Sequence, residues 1–238
     1  MDELGEFDTN VLDMLRQPLE EGVIRISRSR FNVSFPARFL LVAAMNPCPC
    51  GFEGESRCQC GVPTKHRYRR RVSGPILDRL DLHVEAHALK PAELADAPTG
   101  ETSANVRERV ERARQVQRKR FASFPGVYAN AQLRGRLLRE MCTVSSEARR
   151  TLSAAMERLR LSARAHDRVL KLSRTIADLE AAVRIEVHHV LEAVQYRCLD
   201  RPIEGREGPE LPAIFRARKA VSRSDAAGAA RVPIAEGT

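Results

Sequence analysis

Hydrophobic positions along the first 45 residues follow three patterns in turn. Val11, Leu12, Leu15 and Leu19 recur at helical spacing and predict a helix over 9–19, with Asp8 or Thr9 as its N-cap and Pro18 ending or kinking it. From residue 22 the period becomes two. Val23, Arg25, Ser27 and Ser29 alternate with Ile24, Ile26 and Arg28, and Phe31, Val33 and Phe35 form a second alternation. Two short strands joined near Arg28–Arg30 make a hairpin with a basic tip. The run FLLVAAM (39–45) does not alternate and stops at Asn46-Pro47. It reads as a strand buried on both faces, of the kind found in parallel sheets.

Residues 48–72 are Cys/Gly-rich and then strongly basic, the composition of a loop insertion. Residues 73–89 offer a short helix and a strand from Leu82 to Ala88, and 91–105 read as a linker. A basic helix follows from Ala104 to Phe121, capped by Ser103. The remainder is helical. Leu133, Leu137, Leu138 and Met141 mark one helix. Leu152, Ala155, Met156 and Leu159 mark a second, capped by Ser145 or Ser146. Val169, Leu172, Ile176, Leu179 and Val183 mark a third, and Val187, Val190, Leu191 and Val194 a fourth. Their apolar stripes pack together as a small bundle. Beyond about Asp200 the chain is rich in Pro, Gly, Ala and Arg without periodicity, and 201–238 read as a disordered tail.

Composition adds a partner class. The 238 residues carry 40 Lys+Arg against 31 Asp+Glu, a net charge of +9 with pI about 9.7. That excess suits a polyanion such as nucleic acid or nucleotide phosphate, or a solvated basic surface. No apolar run approaches the ~18 residues of a membrane span. The start, MDELGEF, is acidic and unlike a secretory signal. Six cysteines without such a signal point to the reducing cytoplasm, with metal binding or free thiols ahead of disulfides.

The cysteines are not scattered. Cys48, Cys50, Cys58 and Cys60 read C-x-C-x7-C-x-C, four thiols within 13 residues. They form either a structural tetrahedral Zn²⁺ site or a set of free thiols. Cys142 and Cys198 lie in helical stripes and read as core. His66 reads as a surface residue of the basic stretch, and His188 and His189 as ordinary helix residues.

The order of parts carries more than any one of them. An Asp2-Glu3 pair, a helix, a basic hairpin, an apolar run ending in Asn46, SGPILDRLDLHVE (73–85) and LSARAHDRVLKLSRTIADL (161–179) follow one another. This series resembles the second half of an AAA+ ATPase of the magnesium-chelatase-like family. That family includes competence-associated DNA branch-migration helicases and is related to the minichromosome-maintenance helicases. The resemblance covers roughly residues 1–200. It implies an α/β remnant of an AAA+ P-loop NTPase core over 1–90, a linker and basic helix over 91–121, and an all-α lid over 122–200.

The resemblance also implies roles. Asp2 helps hold the Mg²⁺ of bound ATP, and Glu3 polarises the attacking water. Asn46 matches sensor 1, Arg79 the arginine finger and Arg164 sensor 2, with Arg168 one turn later as the alternative. Arg25, Arg28 and Arg30 lie in the hairpin that tracks DNA in related helicases. A finger that serves a neighbour's nucleotide implies a homo-oligomeric ring. Read without the resemblance, Asp2 and Glu3 are solvated acids, Asn46 a turn residue and Arg79 the partner of Asp78 or Asp81. Arg164 and Arg168 are then a solvated face, and the hairpin arginines a guarded sheet edge.

One motif is absent. No G-x-x-x-x-G-K-[ST] phosphate loop occurs anywhere in the 238 residues. The chain is therefore expected to be a truncated product, a fragment or one with a misplaced start, and to bind ATP poorly alone. The intact activity implied is ATP hydrolysis coupled to motion on DNA. The alternatives are the motor subunit of a metal chelatase and a non-enzymatic zinc and DNA-binding fragment.

Overall fold

The structure is a computed structural model and describes residues 1–86 and 100–197. The end of the predicted strand 82–88, most of the linker, Cys198 and the predicted tail lie outside the described residues. No described helix is long and apolar enough to cross a membrane.

The first predicted helix is two. α1 (Thr9–Met14) is capped by Asp8, whose carboxylate accepts the Asn10 N–H at 2.7 Å. α2 (Arg16–Glu21) follows after a break at Leu15. Pro18 neither ends nor kinks it. It is the third residue of α2, in the first turn, where backbone N–H groups have no intrahelical partner to lose. Gly22 ends α2 at φ 69, a left-handed conformation that suits glycine.

β1 (Val23–Arg28) and β2 (Phe31–Pro36) pair antiparallel from Val23↔Pro36 to Arg28↔Phe31, leaving Ser29-Arg30 as the turn. The register sets Ile24 opposite Phe35 and Ile26 opposite Val33, which gathers the apolar residues on one exposed face.

The run 39–45 departs from expectation. It is not assigned as strand, and Phe39, Leu40 and Val42 are exposed, Leu40 at 88%. A strand buried on both faces needs neighbours along both edges and a layer over each face. Among the described residues, only Met1–Leu4 bonds to this run. The Met1 ammonium donates to Val42 O at 2.7 Å and Ala44 N–H to Met1 O at 2.9 Å, the alternation of a parallel pair. Ala43 and Met45 pack on a small core of Leu4, Leu12, Val72 and Ile76.

The stretch expected to be a loop insertion holds α3 (Val62–Arg69), with Pro63 in its first turn. Tyr68 of α3 lies against Gly5. A Cβ on Gly5 would sit 2.6 Å from the Tyr68 Cζ, so only glycine permits this approach. α4 (Gly74–Leu77) follows. Residues 82–86 form no strand. The His83 N–H donates to Tyr196 O at 2.8 Å, and Leu82 and Val84 are exposed.

The second part is a helical bundle. α5 (Ser103–Phe121) is capped by Thr102, one residue before the expected Ser103, and buries Ala113, Gln117 and Phe121. α6 (Gly135–Met141), α7 (Ser146–Leu159), α8 (Ala163–Leu179) and α9 (Val187–Gln195) follow. The hydroxyls of Ser145 and Ser162 cap α7 and α8, accepting from Ala148 N–H at 3.3 Å and Ala165 N–H at 3.1 Å. Leu138, Leu152, Val169, Ile176, Val190 and Val194 share one core, in which Cys142 is buried as expected. Val183, read as part of the α8 stripe, is exposed because α8 ends at Leu179.

Candidate functional site

Asp2 and Glu3 stand beside the end of the 39–45 run. The Leu4 N–H donates to Ala44 O at 2.8 Å, which completes the pairing described above and sets the acidic pair on the segment adjacent to Asn46. Both acids and Asn46 are exposed. Glu3 is left-handed at φ 49, ψ 47, an uncommon state for a non-glycine residue, and its N–H is held by Asp2 Oδ1 at 2.9 Å. Among the described residues neither carboxylate is in an ion pair.

The arginines gather elsewhere. Arg79 meets neither Asp78 nor Asp81. Its Nε donates to Arg16 O at 3.1 Å, its Nη1 to Pro75 O at 2.6 Å and its Nη2 to the Glu20 carboxylate of α2. Its side chain is 7% exposed. Arg164, in the first turn of α8, reaches the other oxygen of Glu20 at 3.1 Å. Arg168 pairs with Asp81. Among the described residues no hydrogen bond or ion pair joins this group to Asp2, Glu3 or Asn46.

In the hairpin, Arg25 pairs with Glu21, while Arg28 and Arg30 are exposed and without an ion pair among the described residues. The basic run after the cysteines is less free. Arg69 pairs with Glu53 and donates to Pro47 O at 3.3 Å, and Arg71 donates to Gly5 O at 3.0 Å and Glu6 at 2.6 Å. On α5, Arg109 and Arg112 are paired with Glu101 and Glu108, whereas Arg107, Arg114 and Arg118 are exposed and unpaired among the described residues.

The four clustered cysteines converge. Cys48 Sγ lies 3.4 Å from Cys50 Sγ and 3.9 Å from Cys58 Sγ, the last two are 3.7 Å apart, and all four sulfurs fall within 4.8 Å of one another. A tetrahedron with Zn–S arms of ~2.3 Å has edges of about 3.8 Å, so the set fits a four-thiolate ion. A hydrogen bond from the Phe52 backbone and the neighbouring thiols lower Cys50 to about 6, while its neighbours, Cys50 first, raise Cys60 to about 11. Glu53 ties this loop to α3 through Arg69 and Lys65.

Two family models match the chain. The one described as magnesium chelatase, subunit ChlI, matches residues 1–94, and the one for the C-terminal part of that subunit matches residues 100–197. The chain belongs to the magnesium-chelatase family. It is 43% identical over 202 residues to the protein YifB of Salmonella typhimurium, covering 84% of this chain and 39% of that protein. It is 42% identical over 205 residues to the competence protein ComM of Haemophilus influenzae, with 86% and 39% covered. Against the DNA replication licensing factor Mcm6 of Drosophila pseudoobscura the identity is 25% over 218 residues, with 89% and 25% covered. The chain thus spans about two fifths of the length of its bacterial relatives.

Within the chain the acidic pair, the hairpin, the cysteines and Arg79 fall in the first match, and Arg164 and Arg168 in the second. Sequence reading missed Glu20, which joins the two matched regions alongside the Arg168–Asp81 pair and the His83–Tyr196 backbone bond. It also read His188 and His189 as ordinary. Both Nε2 atoms meet one oxygen of Glu180, at 2.9 and 3.0 Å. His189 Nδ1 accepts the Glu186 N–H at 2.9 Å, so its proton is on Nε2 and is donated to Glu180. Both its ring nitrogens are therefore engaged, and the trio reads as a helix-end cap in preference to a metal set.

Proposed function

We propose that this chain supplies the water-activating and lid portions of an AAA+ ATPase that couples ATP hydrolysis to movement on DNA. The observation that carries the reading is the two consecutive family matches together with the Leu4 N–H to Ala44 O bond, which holds the segment carrying Asp2 and Glu3 against the run that leads into Asn46. Two unpaired carboxylates offer the oxygen donors that a hard cation prefers, so the residues fit Mg²⁺ with ATP. Bound Mg-ATP would supply the phosphoryl group and the charge to be neutralised. Asp2 would hold the cation, Glu3 would accept a proton from water and Asn46 would orient that water. Arg79 and Arg164, which meet on the Glu20 carboxylate, are the cations offered to phosphoryl oxygens of a neighbour's nucleotide in a ring. DNA as the partner is supported by the names of the relatives, competence protein and replication licensing factor, and by the unpaired Arg28 and Arg30. A porphyrin-chelatase motor is the second reading, favoured by the family description alone.

Two experiments test this. With no phosphate loop in its sequence, the chain should hydrolyse no ATP above background, while a longer form carrying one should turn over and lose turnover on Glu3→Gln. Failure of that longer form to hydrolyse ATP would overturn the ATPase reading. For DNA, Arg28→Ala with Arg30→Ala should weaken binding across sequences. Each lost phosphate contact should flatten the salt slope by about 0.7 for single strands or 0.9 for duplex. The matched control is Arg107, Arg114 and Arg118 on α5, because Arg69 and Arg71 are committed to structure. Normal binding by the hairpin variant, with loss in the control, would show that the hairpin does not touch DNA.

We also propose that the four cysteines hold one structural zinc. Metal analysis should find about one equivalent per chain, released by chelator or by Cys48→Ser with Cys58→Ser. Four freely alkylated thiols in a metal-free chain would exclude it.

A further inference from the structure

Two carboxylates in the described residues each hold two arginines, and they differ in access. Asp178 is fully buried, whereas the Glu20 side chain is 39% exposed. Solutes reach Glu20. Its Oε2 accepts from Arg79 and its Oε1 lies 3.1 Å from Arg164 Nη2. Arg134 Nη2 donates to the Glu20 backbone carbonyl at 2.5 Å. Burial would push the Glu20 carboxyl up, but Arg79, Arg164 and Arg168 outweigh it and hold the carboxyl below its ordinary value.

Arg79 does not depend on Glu20 for its orientation. The carbonyls of Arg16 and Pro75 fix its Nε and Nη1, so Nη2 keeps its aim when Glu20 is absent. Arg164 stands in the first turn of a helix capped by Ser162, the end of α8 that carries partial positive charge. Carboxylate and phosphoryl groups both offer paired oxygens to guanidinium forks, and the phosphoryl group brings more charge.

We propose that Arg79 and Arg164 form a phosphoryl-binding site whose resident occupant is the Glu20 carboxylate, displaced when a phosphoryl group arrives. This rests on the reading of both arginines as phosphate-facing. Without phosphate, Glu20 ties α2 to α8. When phosphate binds, it takes both guanidinium groups and releases that tie, so occupancy of the site is linked to one of the contacts between the two matched regions. The ligand class is the terminal phosphoryl group of a nucleotide or polyphosphate.

The test is a calorimetric titration of pyrophosphate into the full chain at ionic strength held constant with chloride. A site occupied internally nine-tenths of the time has its apparent affinity cut about tenfold. Glu20→Gln should therefore bind pyrophosphate about tenfold more tightly than the parent chain, and adding Arg164→Ala should abolish the gain. Glu20→Asp, which keeps the charge on a shorter arm, should fall between them and serves if Glu20→Gln does not fold. Equal affinities in the parent, Glu20→Gln and Glu20→Asp, or a gain that survives Arg164→Ala, would overturn the proposal. Neither result bears on ATP hydrolysis by the longer form, which Glu3→Gln tests separately.

Discussion

Asp178→Ala should cost the helical bundle about 3–5 kcal/mol, the range for removing one partner of a buried ion pair. The carboxylate is fully buried and accepts from three side chains. Arg120 binds it in bidentate fashion at 2.7 and 2.5 Å, Arg174 Nε donates at 3.1 Å and Asn130 Nδ2 at 2.8 Å. Arg174 is itself 1% exposed. Its remaining N–H groups donate to Val183 O at 2.9 Å and Ala182 O at 2.6 Å, which closes the turn after α8. Removing Asp178 leaves two guanidinium groups facing each other without an anion. Coulomb repulsion and lost hydrogen bonds then act together. Thermal denaturation should show a fall in Tm on the order of 10 °C. Asp178→Asn, which keeps the volume and part of the hydrogen bonding, should cost less. A loss under about 1 kcal/mol on Asp178→Ala would mean that water reaches the arginines and that the network is not what closes the turn.

That network shows what a sequence displays and what it hides. Asp8, Ser145 and the α8 stripe were legible because each acts within one or two turns of its own position. The hairpin was legible because strand alternation and a two-residue turn are local. The cysteines were legible because all four fall within 13 residues. Glu20 was not, since its partner Arg79 lies 59 residues away and α2 carries no mark distinguishing Glu20 from Glu21. The run 39–45 misled for a related reason. Its apolarity records a preference for burial, but whether neighbours cover it depends on segments far along the chain. His188 and His189 needed Glu180, brought back only by the turn after α8. The end of α8 was overrun because Val183 keeps the helical period after the backbone has left it.

Arg79→Ala should show the largest functional effect. In a longer form bearing a phosphate loop, it should leave nucleotide binding largely intact and lower hydrolysis by ~10³–10⁵, the contribution of an arginine finger. The structure adds a complication with a clear control. Arg79 also ties α4 to α2 through Arg16 O, Pro75 O and Glu20, so the alanine variant removes three hydrogen bonds as well as a charge. Arg79→Lys retains the charge but not the planar fork. If the effect is on phosphoryl transfer, the lysine variant should hydrolyse slowly yet denature close to the parent, which separates chemistry from folding. Mixing supplies the second control. A ring of Arg79→Ala and Glu3→Gln subunits contains some interfaces where an intact Glu3 faces an intact Arg79. Those interfaces should restore part of the turnover that either variant lacks alone, with a maximum near equal proportions. Two inactive variants that stay inactive at every ratio would mean that Arg79 serves its own chain's nucleotide or only its own fold. In the second case its bonds to Arg16 O, Pro75 O and Glu20 would be its whole role.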